Sequence, residues 1–158
     1  MQKTMNRRLC VLGLTGLLIM LAGITVAYAQ PVKKTTDFAC PNRAKPVGLV
    51  MDNRSNVYTA CGQTGQIFCL PSGGEPIMYA QVEDTPTVLA VDSKQTLYVG
   101  TASGRVLAVT RNGSVREAYR CDGRIIGLSV DRDGGLVIGM GNGSVITVER
   151  KELTDSRK

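Results

Sequence analysis

The sequence contains no histidine and no tryptophan, and its aromatic content is limited to two phenylalanines and five tyrosines in 158 residues. Without an imidazole there is no Ser-His-Asp triad, no Cys-His dyad, no histidine-ligated zinc and no Cys-x-x-Cys-His haem attachment. Acids are also scarce, 13 against 19 Lys and Arg, giving a formal charge of +6. None of the acids falls within the first thirty residues. Beyond those thirty residues, no stretch keeps a helical spacing of apolar side chains as well as it keeps a strand-and-turn pattern. The length suits one domain, since domains cluster at about 100 to 150 residues.

The first thirty residues stand apart. Lys3, Arg7 and Arg8 form a positive n-region, Leu9 to Ile24 is apolar, and Ala27-Tyr28-Ala29 has the small-x-small form of a signal-peptidase site. Residues 1–29 are expected to be a helical secretory signal cleaved after Ala29, which sends the chain to the periplasm or the extracellular space. The rival is an uncleaved anchor, because Leu9 to Ala29 is 21 uncharged residues and about 20 cross a bilayer. Membrane association is expected only in that case. Cys10 has charged residues before it and does not look like a lipid-anchored cysteine. Removal of the signal takes three bases, so the mature charge is 16 minus 13, or +3. That surplus is too small for the basic stripe that nucleic-acid binding needs, and no nucleic-acid partner is expected.

Four cysteines remain, Cys40, Cys61, Cys69 and Cys121, an even number for an oxidising compartment. Three pairings are possible. The preferred bridge is Cys40 with Cys61, which lie at the same end of the first repeat if the chain enters there. Cys61 and Cys69 straddle a short hairpin about three positions out of register, and a cross-strand bridge wants opposed β-carbons.

Internal repetition is the strongest signal. The segment from Pro46 to Leu70 aligns with Pro86 to Val109 and with Ile125 to Val148. Asp52, Asp92 and Asp131 recur at spacings of 40 and 39, and Gly65, Gly104 and Gly143 at 39. Each copy reads as short strands. A nearly all-apolar run, expected to be buried on both faces, is followed by a polar turn at the aspartate, a second run, a glycine turn and a third run. Asn112-Gly113 and Gly73-Gly74 are expected to supply the positive backbone angles of a turn before a fourth run. A period near 40 with four strands per unit is the signature of a β-propeller blade. The expected fold is all-β: a lead-in segment at 30–45, then three four-stranded blades at 46–84, 85–124 and 125–158.

The pattern Pro-x-Gly-x-x-x-Asp, a turn, a run with Tyr-Val and then Gly-x-Val resembles the repeats of the senescence marker protein, gluconolactonase and strictosidine synthase group. It is also similar to NHL and pyrroloquinoline-quinone-type propeller repeats. The lactonase-like resemblance implies a calcium or zinc ion at the channel mouth, held by carboxylates or amides just before the glycine of an innermost strand. The matching positions here are Val47, Thr87 and Ile126, which lack the hard oxygen donors such an ion demands. No cofactor is therefore expected, with calcium reserved for the alternative reading. A quinone site of the related propellers would want tryptophan for stacking, and none is present.

Asp52, Asp92 and Asp131 are expected to cap turns through backbone N–H bonds rather than to ring a metal. Gly139 to Gly143 resembles a phosphate loop but lies between two strands, so it reads as a hairpin turn. Asn53, Asn112 and Asn142 match the glycosylation pattern at positions where turn chemistry already wants Asn. Arg105, Arg111, Arg116, Arg120, Arg124 and Arg132 fall within 28 residues. They read as a solvated rim, or as a docking face for an acidic partner.

Closed propellers use about four to eight blades, and this repeat count is three. The last blade lacks a good fourth strand, since Thr154 to Lys158 is charged, and Thr35 to Ala39 is in phase to complete a blade. An open arc would expose apolar end faces, so oligomerisation, two chains making six blades, or docking in a larger assembly is expected. A shortened relic of a longer propeller is the other possibility. The functional expectation is an exported, non-catalytic binding or scaffold module, and the alternative is a divergent lactonase or ester hydrolase.

Overall fold

The computed structural model describes residues 38–153; residues 1–37, which include the helical signal expected at 1–29, and residues 154–158 lie outside them. Among the described residues, eleven strands form three antiparallel sheets. Blade 1 comprises β1 (Pro46–Met51), β2 (Val57–Cys61), β3 (Gln66–Leu70) and β4 (Ile77–Gln81). Blade 2 comprises β5 (Pro86–Val91), β6 (Leu97–Thr101), β7 (Arg105–Val109) and β8 (Val115–Arg120). Blade 3 has β9 (Ile125–Val130), β10 (Leu136–Met140) and β11 (Val145–Val148). The blades carry four, four and three described strands, and the sequence's expected fourth strand of blade 3 is not among them. After β11 the chain turns at Arg150–Glu152 and tucks Leu153 into the core. Of the lead-in stretch proposed as a closing strand, Phe38 and Ala39 are not in a strand, and residues 35–37 lie outside the description. No described helix is long and apolar enough to cross a membrane.

β1, β5 and β9 lie side by side as the innermost strands, which makes this a three-blade propeller segment. The alternation of side chains decides what each face meets. In blade 2, Leu97 and Val99 face blade 1 in one core cluster, and Tyr98 faces blade 3 in a second. With a neighbour on each side, β6 is buried at all five residues, whereas β10 alternates. The expectation that every first run is buried on both faces fails for β9, where Ile126 and Ser129 are exposed, and for β1. Leu49 and Met51 are 72% and 61% exposed, because blade 1 has no described neighbour on that side.

The turns follow from repeated hydrogen bonds. Gly65 and Gly104 accept from Val82 and Cys121 at 2.9 and 2.8 Å, where the outer strand leaves the blade. A Cβ on either would come within 2.4 Å of a carbonyl oxygen, and both have positive φ, so only glycine fits. In the Asn112-Gly113 and Gly73-Gly74 turns, only Gly113 and Gly73 have positive φ, not both members of each pair as expected. The remaining residue of each pair sits in ordinary space, as in a turn ending on one left-handed residue.

The bridge joins Cys40 to Cys61, the preferred pairing, and Cys69 and Cys121 are free thiols. Cys69 lies opposite Tyr58 while Cys61 lies opposite Gln66, the three-residue offset that keeps them apart. The bridge pins Phe38, Cys40 and Ala44 over the outer half of blade 1's free face, where Phe38 packs on Phe68 with ring centroids 4.8 Å apart.

Blades 2 and 3 meet closely at Gly100, where a Cβ would lie 2.7 Å from both Ile125 Cγ2 and Val88 Cγ1. Gly100→Val is expected to lower stability by about 1–3 kcal/mol through overpacking, measured as a shift of the urea unfolding midpoint.

Candidate functional site

The position at which a propeller of the resembled type would place its ion ligands carries a repeated backbone feature. Each innermost strand has one extra residue relative to its partner: the register skips between Val47 and Leu49, between Pro86 and Val88, and opposite Ile125 and Gly127. A bulge leaves its extra residue outside the ladder and re-aims the side chain there. Thr87 and Ile126 are the extra residues in blades 2 and 3, and Val47 borders the bulge of blade 1. All three lie near one end, where the connectors are pinned by Gly62, Ala102 and Gly141 N–H groups donating to the carbonyls of Lys45, Thr85 and Arg124.

The chemistry at this rim is apolar. Val47 rests against Gly62, where an added Cβ would meet it at 2.9 Å, and Ile126 is 58% exposed. The Thr87 hydroxyl has one proton to give and lies 2.6 Å from the Ile125 carbonyl and 3.0 Å from that of Gly100, so its donation to Ile125 ties blade 2 to blade 3. These side chains do not fit calcium, which takes six to eight oxygen ligands. Among the described residues, no three His, Cys, Asp or Glu side chains gather closely enough to hold a metal ion.

The repeated aspartates sit at the opposite end, each bound to its own turn. Asp52 Oδ1 accepts from the backbone of Arg54 and Asn56 at 2.8 and 2.9 Å. Asp92 accepts from Lys94 and Thr96 at 2.9 and 2.7 Å, and Asp131 from Asp133 and Gly135 at 2.9 and 2.7 Å. Asp52 alone is buried, and it gathers more. Its Oδ2 accepts from Asn56 Nδ2 at 2.9 Å, Tyr58 Oη at 3.3 Å and Gln95 Nε2, in the next blade, at 3.4 Å. Burial pushes the Asp52 carboxyl upward, but the bonds from Asn56, Arg54 and Tyr58 together outweigh it and hold it below its ordinary 3.8.

Gln95 was not visible as a site residue. It occupies the left-handed slot of the turn at φ 66°, where the other copies carry Ser55 and Gly134. A long amide in a slot that favours small residues was the available signal. From there it reaches both Asp52 and Asn53, forming a polar latch between blades 1 and 2. Beside the latch, Tyr58 packs edge-on to Tyr79, whose hydroxyl donates to the Thr110 carbonyl of blade 2 at 3.0 Å. Burial raises the Tyr58 phenol and the Cys69 thiol, which keeps both protonated at neutral pH. Cys121 is raised by the same cause. Neither free thiol has the lowered pKa of a nucleophile.

The six arginines do not gather on one face. Arg105, Arg120 and Arg124 lie at the end of blade 2 where β5 begins, and Arg111 and Arg132 lie at the aspartate end. Glu117 binds Arg105 and Arg120, each at 2.8 Å, and bonds from Arg120 and then Arg105 draw its carboxyl down. Arg105, Arg116 and Glu117 line a cleft of about 270 Å³ with Gln81 and Glu83, so its charge is mixed.

No protein-family model matches this sequence, and no curated protein matches it either. Solved structures do. A protein of unknown function from Bacteroides caccae superposes with a TM-score of 0.62 at 14% identity, over 78% of this chain and 48% of that one. Virginiamycin B lyase from Staphylococcus aureus gives 0.58 at 13% identity, over 72% and 44%. A gluconolactonase from Xanthomonas campestris gives 0.55 at 20% identity, over 65% and 37%. The chain spans less than half the length of these structures, and the likeness establishes the propeller-type fold that this chain shares with them.

Asp52→Ala is expected to cost about 1.5–3 kcal/mol, the range for bonds to a charged group, and more than Asp92→Ala or Asp131→Ala, as read by urea unfolding. Because the folded carboxyl lies below 3.8, its contribution is complete above that pH and disappears as pH falls through the lower folded value. Wild-type and Asp52→Ala unfolding midpoints should therefore converge on acidification.

Proposed function

We propose that this chain is an exported propeller segment that binds rather than catalyses, a scaffold or binding module that a partner completes. The observation that carries it is the rim of the innermost strands. The bulges that would aim ligands there are present, yet Thr87 and Ile126 occupy two of them and Val47 borders the third, and the one hydroxyl among these three is engaged by neighbouring carbonyls. A hydrolase of the resembled type would need that rim to polarise a carbonyl or activate water. The buried acid, phenol and thiol at the opposite end are held by one another and by backbone, which suits a scaffold.

A second reading has its own support. The solved structures matched include a lyase and a gluconolactonase, so the comparisons lend more weight to a divergent lactonase or ester hydrolase than to a binding role. In that reading, the reactive groups would come from outside the described residues or from a partner. Calcium would be its cofactor, although the described rim does not fit that ion.

Hydrolysis separates the two. A sugar lactone and an aryl ester incubated with the purified protein should turn over no faster than buffer, with or without calcium. Turnover that calcium raises and a chelator abolishes would establish the hydrolase and overturn the binding reading. Export has its own check: the mature protein should begin at Gln30 by intact mass, whereas an intact amino-terminal segment in the membrane fraction would make residues 9–29 an anchor.

A further inference from the structure

We infer that the two free blade faces are complementary halves of one interface, and that two copies of this chain close a six-bladed ring. The free face of blade 1 in each copy would pack on the free face of blade 3 in the other. The inference rests on the reading of a propeller segment completed by a partner, and it identifies that partner as a second copy.

The repeat permits a comparison of the same position with and without a neighbour. Leu49 is 72% exposed, whereas Leu89, its counterpart in blade 2, is 5% exposed against blade 1. Pro46 is exposed, but its counterparts Pro86 and Ile125 are fully buried in the two internal seams. On the other free face, Val145 is 70% exposed, while its counterparts Ile67 and Val106 are both at 0%. These positions keep the apolar residues of a blade seam, although in the described structure nothing covers them. Exposed apolar patches of this kind mark interaction surfaces.

One slot shows which residue would fill it. Gly100 receives Ile125 of the following blade so closely that an added Cβ would lie 2.7 Å from Ile125 Cγ2. Gly139 is the same position in blade 3, and a Cβ there would meet only Gly127, no nearer than 3.4 Å. The slot is open. The residue of blade 1 at the Ile125 position is the exposed Pro46, so a second copy brings a compact apolar knob to a vacant glycine notch.

The two faces also match in size, which points to self-assembly over a chance partner. Blade 3 has Val137 where blades 1 and 2 have Tyr58 and Tyr98, and Ser129 where they have Val50 and Ala90, so its free face is hollowed. The free face of blade 1 is thickened, because the disulfide holds Phe38 over Phe68. Bulk missing from one face is present on the other. Two copies give six blades, within the roughly four to eight of closed propellers. Stretches matching 44% and 48% of two solved propellers imply that two such segments span nearly a full ring. A two-fold axis repeats the contact and leaves no free face, so assembly stops at the dimer.

The test is the solution mass of the chain as the cell matures it, by light scattering, together with two variants. Twice the chain mass is expected. Gly139→Val should halve that mass while keeping a cooperative unfolding transition, since its new methyls enter a notch that is empty in one copy. Pro46→Cys with Gly139→Cys should yield a covalent dimer on a non-reducing gel, because the corresponding β-carbons at Gly100 and Ile125 would be 3.3 Å apart, close to disulfide spacing. A wild-type monomer, a ladder of higher covalent species, or a stoichiometric second protein in place of the second copy would each overturn the inference. The hydrolysis assay reports independently: a dimer with calcium-dependent turnover keeps the ring and discards the binding role, and an inactive monomer does the reverse.

Discussion

The fold depends on how closely neighbouring innermost strands approach. Gly48 lies where a Cβ would be 3.0 Å from the Leu89 backbone nitrogen, and Gly100 lies under Ile125. A side chain at Gly48 would wedge blades 1 and 2 apart, and one at Gly100 would do the same to blades 2 and 3, each opening the core cluster of its own seam. With the strands this close, Thr87 can reach the Ile125 carbonyl and the large residues of β6 fill the seams on either side. Fully burying a Leu, Ile or Val contributes about 1.5–3 kcal/mol, and most of that burial occurs between blades rather than within them. A single sheet therefore has little core of its own. As in other repeat architectures, each blade is held mainly by its neighbours.

What the sequence disclosed and what it concealed divide along the same line. The 40-residue period, the Asp turns and the constrained glycines at 65 and 104 were legible because each reflects local geometry repeated from blade to blade, and the Cys40–Cys61 bridge because both cysteines lie at the same end of the first repeat. The exposed β1 was not. Its apolar run has the composition of a strand covered on both faces, and composition cannot say whether a neighbour is present. Gln95 was hidden for a related reason: a surface amide in a turn is ordinary, and only the packing of two blades turns it towards Asp52. The bulges were implicit in the Pro-x-Gly pattern, but their consequence, the re-aiming of Thr87 and Ile126, requires the paired register. At the rim the sequence was informative, because residue type alone removed the donors that a cation needs.

The polar groups follow a consistent logic. Buried groups must be hydrogen-bonded, and a fully satisfied network can fix one arrangement among several apolar alternatives. Asp52, Asn56, Tyr58 and Gln95 form such a network at the seam between blades 1 and 2. The seam between blades 2 and 3 has no equivalent latch to Asp92, because the Gln95 position is Gly134 and has no side chain to reach across. There the buried cluster is apolar, Thr87 reaches the Ile125 carbonyl, and charged residues such as Asp92, Lys94, Arg132 and Arg150 line a cleft at the aspartate end. The two seams are therefore specified differently, one by polar pairing and one mainly by shape.

That difference bears on what the free faces can recognise. Apolar packing is non-directional, so a face without a polar latch must obtain its selectivity from shape and size. The Gly139 notch, the reduction from Tyr to Val at position 137 and the phenylalanine layer held by the disulfide supply such features. The disulfide thus does more than close a 21-residue loop. By fixing Phe38 on Phe68 it thickens one end of the segment, and in the proposed ring a hollowed face would meet that end with the least void. In the proposed ring, the bridge and the small residues of blade 3 would be two parts of one size constraint, although 76 positions separate Cys61 from Val137 in the chain.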